Sequence, residues 1–113
     1  MLNKVQRLKE ERERLNRIVL SRDNLDIKRF FALDSAVYND GALDSRTKEL
    51  LSLVASLVLR CDDCISYHVI RAKESGITDK EFDEVISVGL LVGGSITIPH
   101  VRRAYQLWEE MKD

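Results

Sequence analysis

The chain has 113 residues, 44% of them hydrophobic and 33% charged, with a formal net charge of −1. That length supports one domain with a single core, and the composition excludes both a disordered chain and a membrane-embedded one. Residues 1–29 hold nine Lys/Arg against five Asp/Glu, but the signs alternate (Lys9-Glu10-Glu11-Arg12-Glu13-Arg14) as on a solvated helix, which argues against nucleic acid as a partner.

The first expected element is a long charged helix over about Leu2 to Ser21, with Val5, Leu8, Leu15 and Val19 on one side. Its start, Met1 to Arg17, lacks a continuous apolar run, so no secretory leader is expected there. A second helix is expected from Asp23 to Tyr38, its apolar face made by Leu25, Phe30, Phe31, Leu33 and Val37. After a turn at Asn39-Asp40-Gly41, Asp44 or Ser45 caps a third helix that runs to Leu59. The stretch Leu50 to Leu59 is apolar nearly all round, which marks a core element or one covered by another subunit. Broken by Ser52 and Ser56, it is about half of a membrane span, so no membrane insertion is expected.

Asp62 or Asp63 is expected to cap a fourth helix, ended by Ser75-Gly76. Thr78-Asp79-Lys80-Glu81 has the spacing of a capping box and opens a fifth, with Phe82, Val85, Ile86, Gly89 and Leu90 at helical spacing. Gly93-Gly94 breaks it, and Pro99 suits the first turn of a last helix that buries Val101, Ala104, Tyr105 and Trp108. The expectation is an all-α, single-domain bundle of five or six helices over residues 1–113, with 1–21 a charged N-terminal helix.

Chemistry concentrates in Cys61-Asp62-Asp63-Cys64-Ile65-Ser66-Tyr67-His68. On a helix, positions 61, 64 and 68 share one face, so the two sulfurs are near bonding range and the imidazole lies one turn beyond Cys64. A cytoplasmic location is expected, where thiols are kept reduced and a close cysteine pair reads as redox or metal chemistry. Amide N–H groups at the helix start favour a thiolate, Asp62 and Asp63 oppose it, and His68 is the candidate base. Other readings stay open at this level. The cysteines could be small core residues, a static disulfide, or zinc ligands with His68, although zinc then lacks a fourth ligand. His68 could be a core histidine, and His100 reads as a surface residue at a helix start. Glu49, beside Lys48, reads locally as part of a solvated first turn.

The pattern Glu49, eleven intervening residues, Cys61-x-x-Cys64-x-x-x-His68, followed by helix, Gly76-Ile77-Thr78 and helix, resembles the carboxymuconolactone decarboxylase superfamily, and within it the AhpD-like alkylhydroperoxidase branch. The resemblance spans residues 43–105. It implies an all-helical fold, assembly as a homo-oligomer (trimers, or hexamers of dimers), and thiol-dependent peroxidase or disulfide oxidoreductase activity. By this resemblance Cys64 attacks a hydroperoxide, Cys61 closes the disulfide, and His68 with Glu49 relays the proton. An external dithiol reductant, not identified by the sequence, would restore the thiols; no cofactor or metal is expected.

An unbroken helix would hold Glu49 and Cys61 about 18 Å apart, so the chain must turn near Arg60-Cys61 to bring Glu49 against His68. The chain departs from the AhpD pattern at Asp63, where that branch has a histidine between its cysteines, and a carboxylate there makes the thiols less acidic. Two rival functions follow from the same residues. One is a redox-sensing or interaction subunit without turnover; the other is a cysteine-independent decarboxylase or lyase using Glu49 and His68 as base and acid. The oily Leu50 to Leu59 segment separately predicts an oligomer, since so few helices cover it poorly in a monomer.

Overall fold

The computed structural model describes residues 3–112 and contains six α-helices and no strand among them. They are α1 (Lys4–Leu20), α2 (Leu25–Val37), α3 (Ser45–Leu59), α4 (Asp62–Glu74), α5 (Asp79–Gly93) and α6 (Ile98–Glu110), with a 3₁₀ turn at Ser95–Thr97 before α6. The expected start of the first helix at Leu2 lies outside the described residues. None of the described helices is long and apolar enough to cross a membrane.

Local chemistry fixes the helix ends. Asn3 and Thr78 each close a reciprocal capping box, with Gln6 and Glu81. Asn24 and Asp44 cap α2 and α3 through their side-chain oxygens. Lys48 reaches back from α3 to donate to the Val37 and Asn39 carbonyls (2.8 and 2.6 Å), which satisfies the open end of α2.

The core lies between α3, α4, α5 and α6. Leu53 and Leu57 of α3 meet Ile65, Val69 and Ala72 of α4, Phe82 and Ile86 of α5, and Leu107 and Trp108 of α6. Phe82 stacks on Trp108 with ring centroids 4.1 Å apart, while the Trp108 indole N–H donates to Asp79 at 2.8 Å. At Gly89 the α5 backbone approaches Leu57 so closely that a Cβ would fall 2.6 Å from a leucine methyl. The last helix buries Ala104, Leu107 and Trp108, whereas Val101 and Tyr105 are half-buried.

Two regions differ from the periodicity-based picture. In α2 no residue is buried, and Leu25, Phe30, Leu33 and Val37 face outward, Phe30 at 66% exposure. In α1 only Val5 and Leu8 pack on the core; ion pairs of Lys4 with Glu110, Lys9 with Glu74 and Arg12 with Asp63 hold the rest of its near side. Leu51 and Leu59 of α3 are also exposed. An apolar helix stripe needs a partner, and the described residues leave these stripes exposed.

Candidate active site

The chain reverses between α3 and α4 at Arg60, the only non-glycine among the described residues with positive φ (60°). Left-handed backbone at an arginine carries a steric cost, held here by the Cys61 N–H donating to the Ser56 carbonyl at 3.2 Å. This reversal lays α4 antiparallel to α3, so Glu49 and His68 come face to face as the spacing required.

The cap of α4 corrects the sequence reading. Neither Asp62 nor Asp63 is the N-cap; Cys61 is, its sulfur accepting the Cys64 N–H at 3.3 Å. The cap must be the extended residue just before the first helical one, and Cys61 (φ −99°, ψ 96°) is that residue. Cys61 and Cys64 are joined as a disulfide, with Cα atoms 5.3 Å apart. Their separation falls within the normal range for such a bridge.

Inside the first turn, each carboxylate meets a cation from elsewhere in the fold. Asp62 accepts from His100 Nδ1 at 2.7 Å and from Arg103 at 3.2 and 3.0 Å. The His100 hydrogen bond, with Arg103 behind it, holds the Asp62 carboxyl below its ordinary value. His100, expected as a surface residue at a helix start, is therefore the α6 anchor of the α4 start. Asp63 faces Arg12 of α1, whose guanidinium donates to the Asp63 carbonyl at 3.3 Å and lies 3.6 Å from its carboxylate.

Glu49 is 2% exposed, so the solvated-turn reading of its local sequence does not hold. The His68 Nδ1–H donates to Glu49 Oε2 at 2.9 Å, and Arg71 Nε donates to Oε1 at 3.4 Å. A buried carboxylate is tolerated when paired and hydrogen-bonded, as here. With Nδ1 committed to Glu49, Nε2 is the ring nitrogen left for chemistry. Tyr67 packs edge-on against the imidazole at 5.0 Å and Tyr38 lies 6.1 Å away on another side.

Cys64 and His68 open into one cleft of about 820 Å³ between α1, α2 and α4. Leu8, Leu15, Phe30 and Phe31 give it an apolar wall, and Arg12, Tyr67 and Asp63 line the rim beside Cys64. Cys64 is exposed and Cys61 half-buried, the disposition expected of an attacking sulfur with a resolving one behind it. The structure thus gathers Glu49, Cys61, Cys64 and His68 at one site. It adds Arg12, Tyr67 and Arg71, to which the sequence alone assigns no role in the site; Arg71 sits three residues beyond His68, on the same helix side, and that spacing is a usable signal.

Known proteins place this arrangement in context. Residues 27–107 match the model of the carboxymuconolactone decarboxylase family. An uncharacterised protein of the cox locus of Paracoccus denitrificans is 34% identical over 82 residues, covering 73% of this chain and 74% of its own. A crystal structure from Thermotoga maritima, 56% identical, covers 93% of this chain and 92% of its own with a TM-score of 0.89. A second from the same organism, 55% identical with a TM-score of 0.88, covers 93% of this chain and 89% of its own. It is described as a carboxymuconolactone decarboxylase family protein with a suggested part in antioxidative response. A Legionella pneumophila protein of that family, 24% identical, covers 99% of this chain and all of its own, with a TM-score of 0.81 that shows likeness of fold. With its family match running from α2 into α6, and helices that superpose on those crystal structures, this chain belongs to the carboxymuconolactone decarboxylase family.

Proposed function

We propose that the protein is a thiol-dependent peroxidase or disulfide oxidoreductase of the AhpD-like kind, cycling between a dithiol and the Cys61–Cys64 disulfide. The observation that carries this reading is Cys64, bonded to Cys61, opening into the same cleft as His68, whose ring is fixed by buried Glu49.

In the forward half-cycle His68 takes the Cys64 proton, and the thiolate sulfur attacks one oxygen of a hydroperoxide. The O–O bond breaks, the departing alkoxide leaves as an alcohol with the proton returned from His68, and Cys64 becomes a sulfenic acid. The Cys61 thiol then displaces hydroxide, which leaves as water, and the disulfide forms. An external dithiol returns two electrons and two protons by thiol–disulfide exchange. Glu49 fixes which ring nitrogen does this work.

The apolar wall of Leu15, Phe30 and Phe31 favours an organic hydroperoxide, and the exposed stripes on α2 and α3 favour assembly of several copies. The test is consumption of cumene hydroperoxide with dithiothreitol as reductant. Wild-type protein turns over and Cys64→Ser does not; full activity in Cys64→Ser would overturn the assignment.

The rival redox-sensing reading draws on the apolar stripe of α2 beside the cleft. It predicts negligible turnover and an oligomer size that changes on oxidation, which light scattering on the same samples distinguishes.

A further inference from the structure

We infer that Arg12 is a positioning residue for Cys64: it offsets the Asp63 carboxylate beside the attacking sulfur and so keeps that thiol acidic enough to react. The inference rests on the thiol chemistry proposed above and extends it to α1, a helix that lies outside the family-matched residues 27–107.

Three contacts fix the Arg12 guanidinium. It donates to the Asp63 carbonyl at 3.3 Å, approaches the Asp63 carboxylate at 3.6 Å, and stacks over the Tyr67 ring at 4.2 Å. Its side chain is 31% exposed, against 84% for that of Asp63. Arg14, two residues on, pairs instead with Glu11 of its own helix. A planar guanidinium that stacks and hydrogen-bonds at once is a fixed charge, which a lysine in the same place would not be.

The charges around Cys64 make that cation consequential. Asp63 adjoins it in sequence and Asp34 faces the cleft from α2, while Glu11, which faces it from α1, is paired with Arg14. On the α3 side the charge of Glu49 is engaged by His68 and Arg71. Among the described residues lining the cleft, Arg12 is the only Lys or Arg. Carboxylates disfavour a neighbouring thiolate and a fixed cation favours it. On the other side of the α4 start, His100 and Arg103 balance Asp62 in the same way, so Arg12 completes the compensation where the attacking sulfur lies.

The test is the pH profile of Cys64 alkylation by iodoacetamide in the reduced full-length protein, read on the Cys64 peptide by mass spectrometry. Arg12→Gln raises the apparent pKa of Cys64 and slows alkylation at neutral pH about three- to tenfold. Arg12→Lys recovers part of the loss. Asp63→Asn speeds alkylation, and in the Asp63→Asn background Arg12→Gln has a much smaller effect, because its target charge is gone. An unchanged profile in Arg12→Gln, or an equal slowing with and without Asp63, overturns the inference. Should Arg12→Gln fail to fold, Asp63→Asn decides alone: faster alkylation supports the electrostatic account and an unchanged rate overturns it. No peroxide enters this assay, so absent peroxidase turnover would refute the proposed function and leave the alkylation result standing.

Discussion

Glu49→Gln separates catalysis from stability. The glutamine keeps the shape and can still hydrogen-bond, but it removes the charge and can present an N–H to the ring nitrogen that Glu49 now holds protonated. The two bonds at risk are the 2.9 Å bond from His68 and the 3.4 Å bond from Arg71. Charge-assisted hydrogen bonds contribute about 1.5–3 kcal/mol each. Here the Arg71 bond is long and its side chain is 45% exposed, so it regains water and adds little. The His68 bond, part of which the amide replaces, then sets a loss of about 1–2 kcal/mol, or about 4–8 °C in Tm for a chain of this size. Activity should fall far more, by about 10²-fold or beyond, since a base in the wrong tautomer forfeits most of the general acid–base contribution. Urea unfolding and hydroperoxide turnover on the same preparations read both quantities. If turnover stays within about twofold of wild type while stability drops as stated, Glu49 is a structural ion-pair partner and the relay is wrong.

Cys61→Ser should still be oxidised at Cys64 but should lack its resolving thiol, so excess peroxide drives Cys64 to the sulfinic acid; mass spectrometry finding no oxidised sulfur there would reject Cys64 as the attacking group. Glu81 is pulled from 4.5 to about 2, first by its hydrogen bond from Arg46 and then by the N–H of Thr78. Because the folded-state value is the lower one, this stabilisation is complete above about pH 4.5 and is lost as pH falls toward 2. Urea midpoints measured across that window should fall, and fall less in Arg46→Met; equal falls would refute the coupling. Phe82→Ala removes a fully buried ring stacked on Trp108 and should cost about 3–5 kcal/mol in urea unfolding; a loss below about 1 kcal/mol would mean that the core there collapses around the gap.

Sequence signals served well where the cause is local. Thr78 with Glu81, Gly94 and Pro99 set helix ends through contacts a few residues long, and each is found where its chemistry put it. They failed where the cause lies across the fold. Asp62 meets His100 from 38 residues away, a distance over which local composition carries no information, whereas the Glu49–His68 contact, 19 residues apart, was legible from the motif spacing alone. For Glu49 the neighbouring Lys48 pointed to water, and only the motif spacing pointed inward. The cap at Cys61 was missed for a chemical reason: sulfur is a weak acceptor, so the oxygen-bearing Asp62 and Asp63 drew the assignment. Arg12 was hidden by its company, because a guanidinium among alternating charges looks the same whether it pairs along its own helix or reaches α4. The α2 stripe shows the opposite failure: apolar spacing marks a face that wants covering but not what covers it.

The seat of Cys61 at the head of α4 has a mechanical corollary. One sulfur both closes the covalent link and receives the amide of its partner cysteine, so making or cutting that link is confined to a loop of four residues. The packed faces of α3, α5 and α6 form no part of that link. In the proposed cycle the external dithiol therefore meets Cys64 at the mouth of the cleft, the sulfur of the pair that lines it.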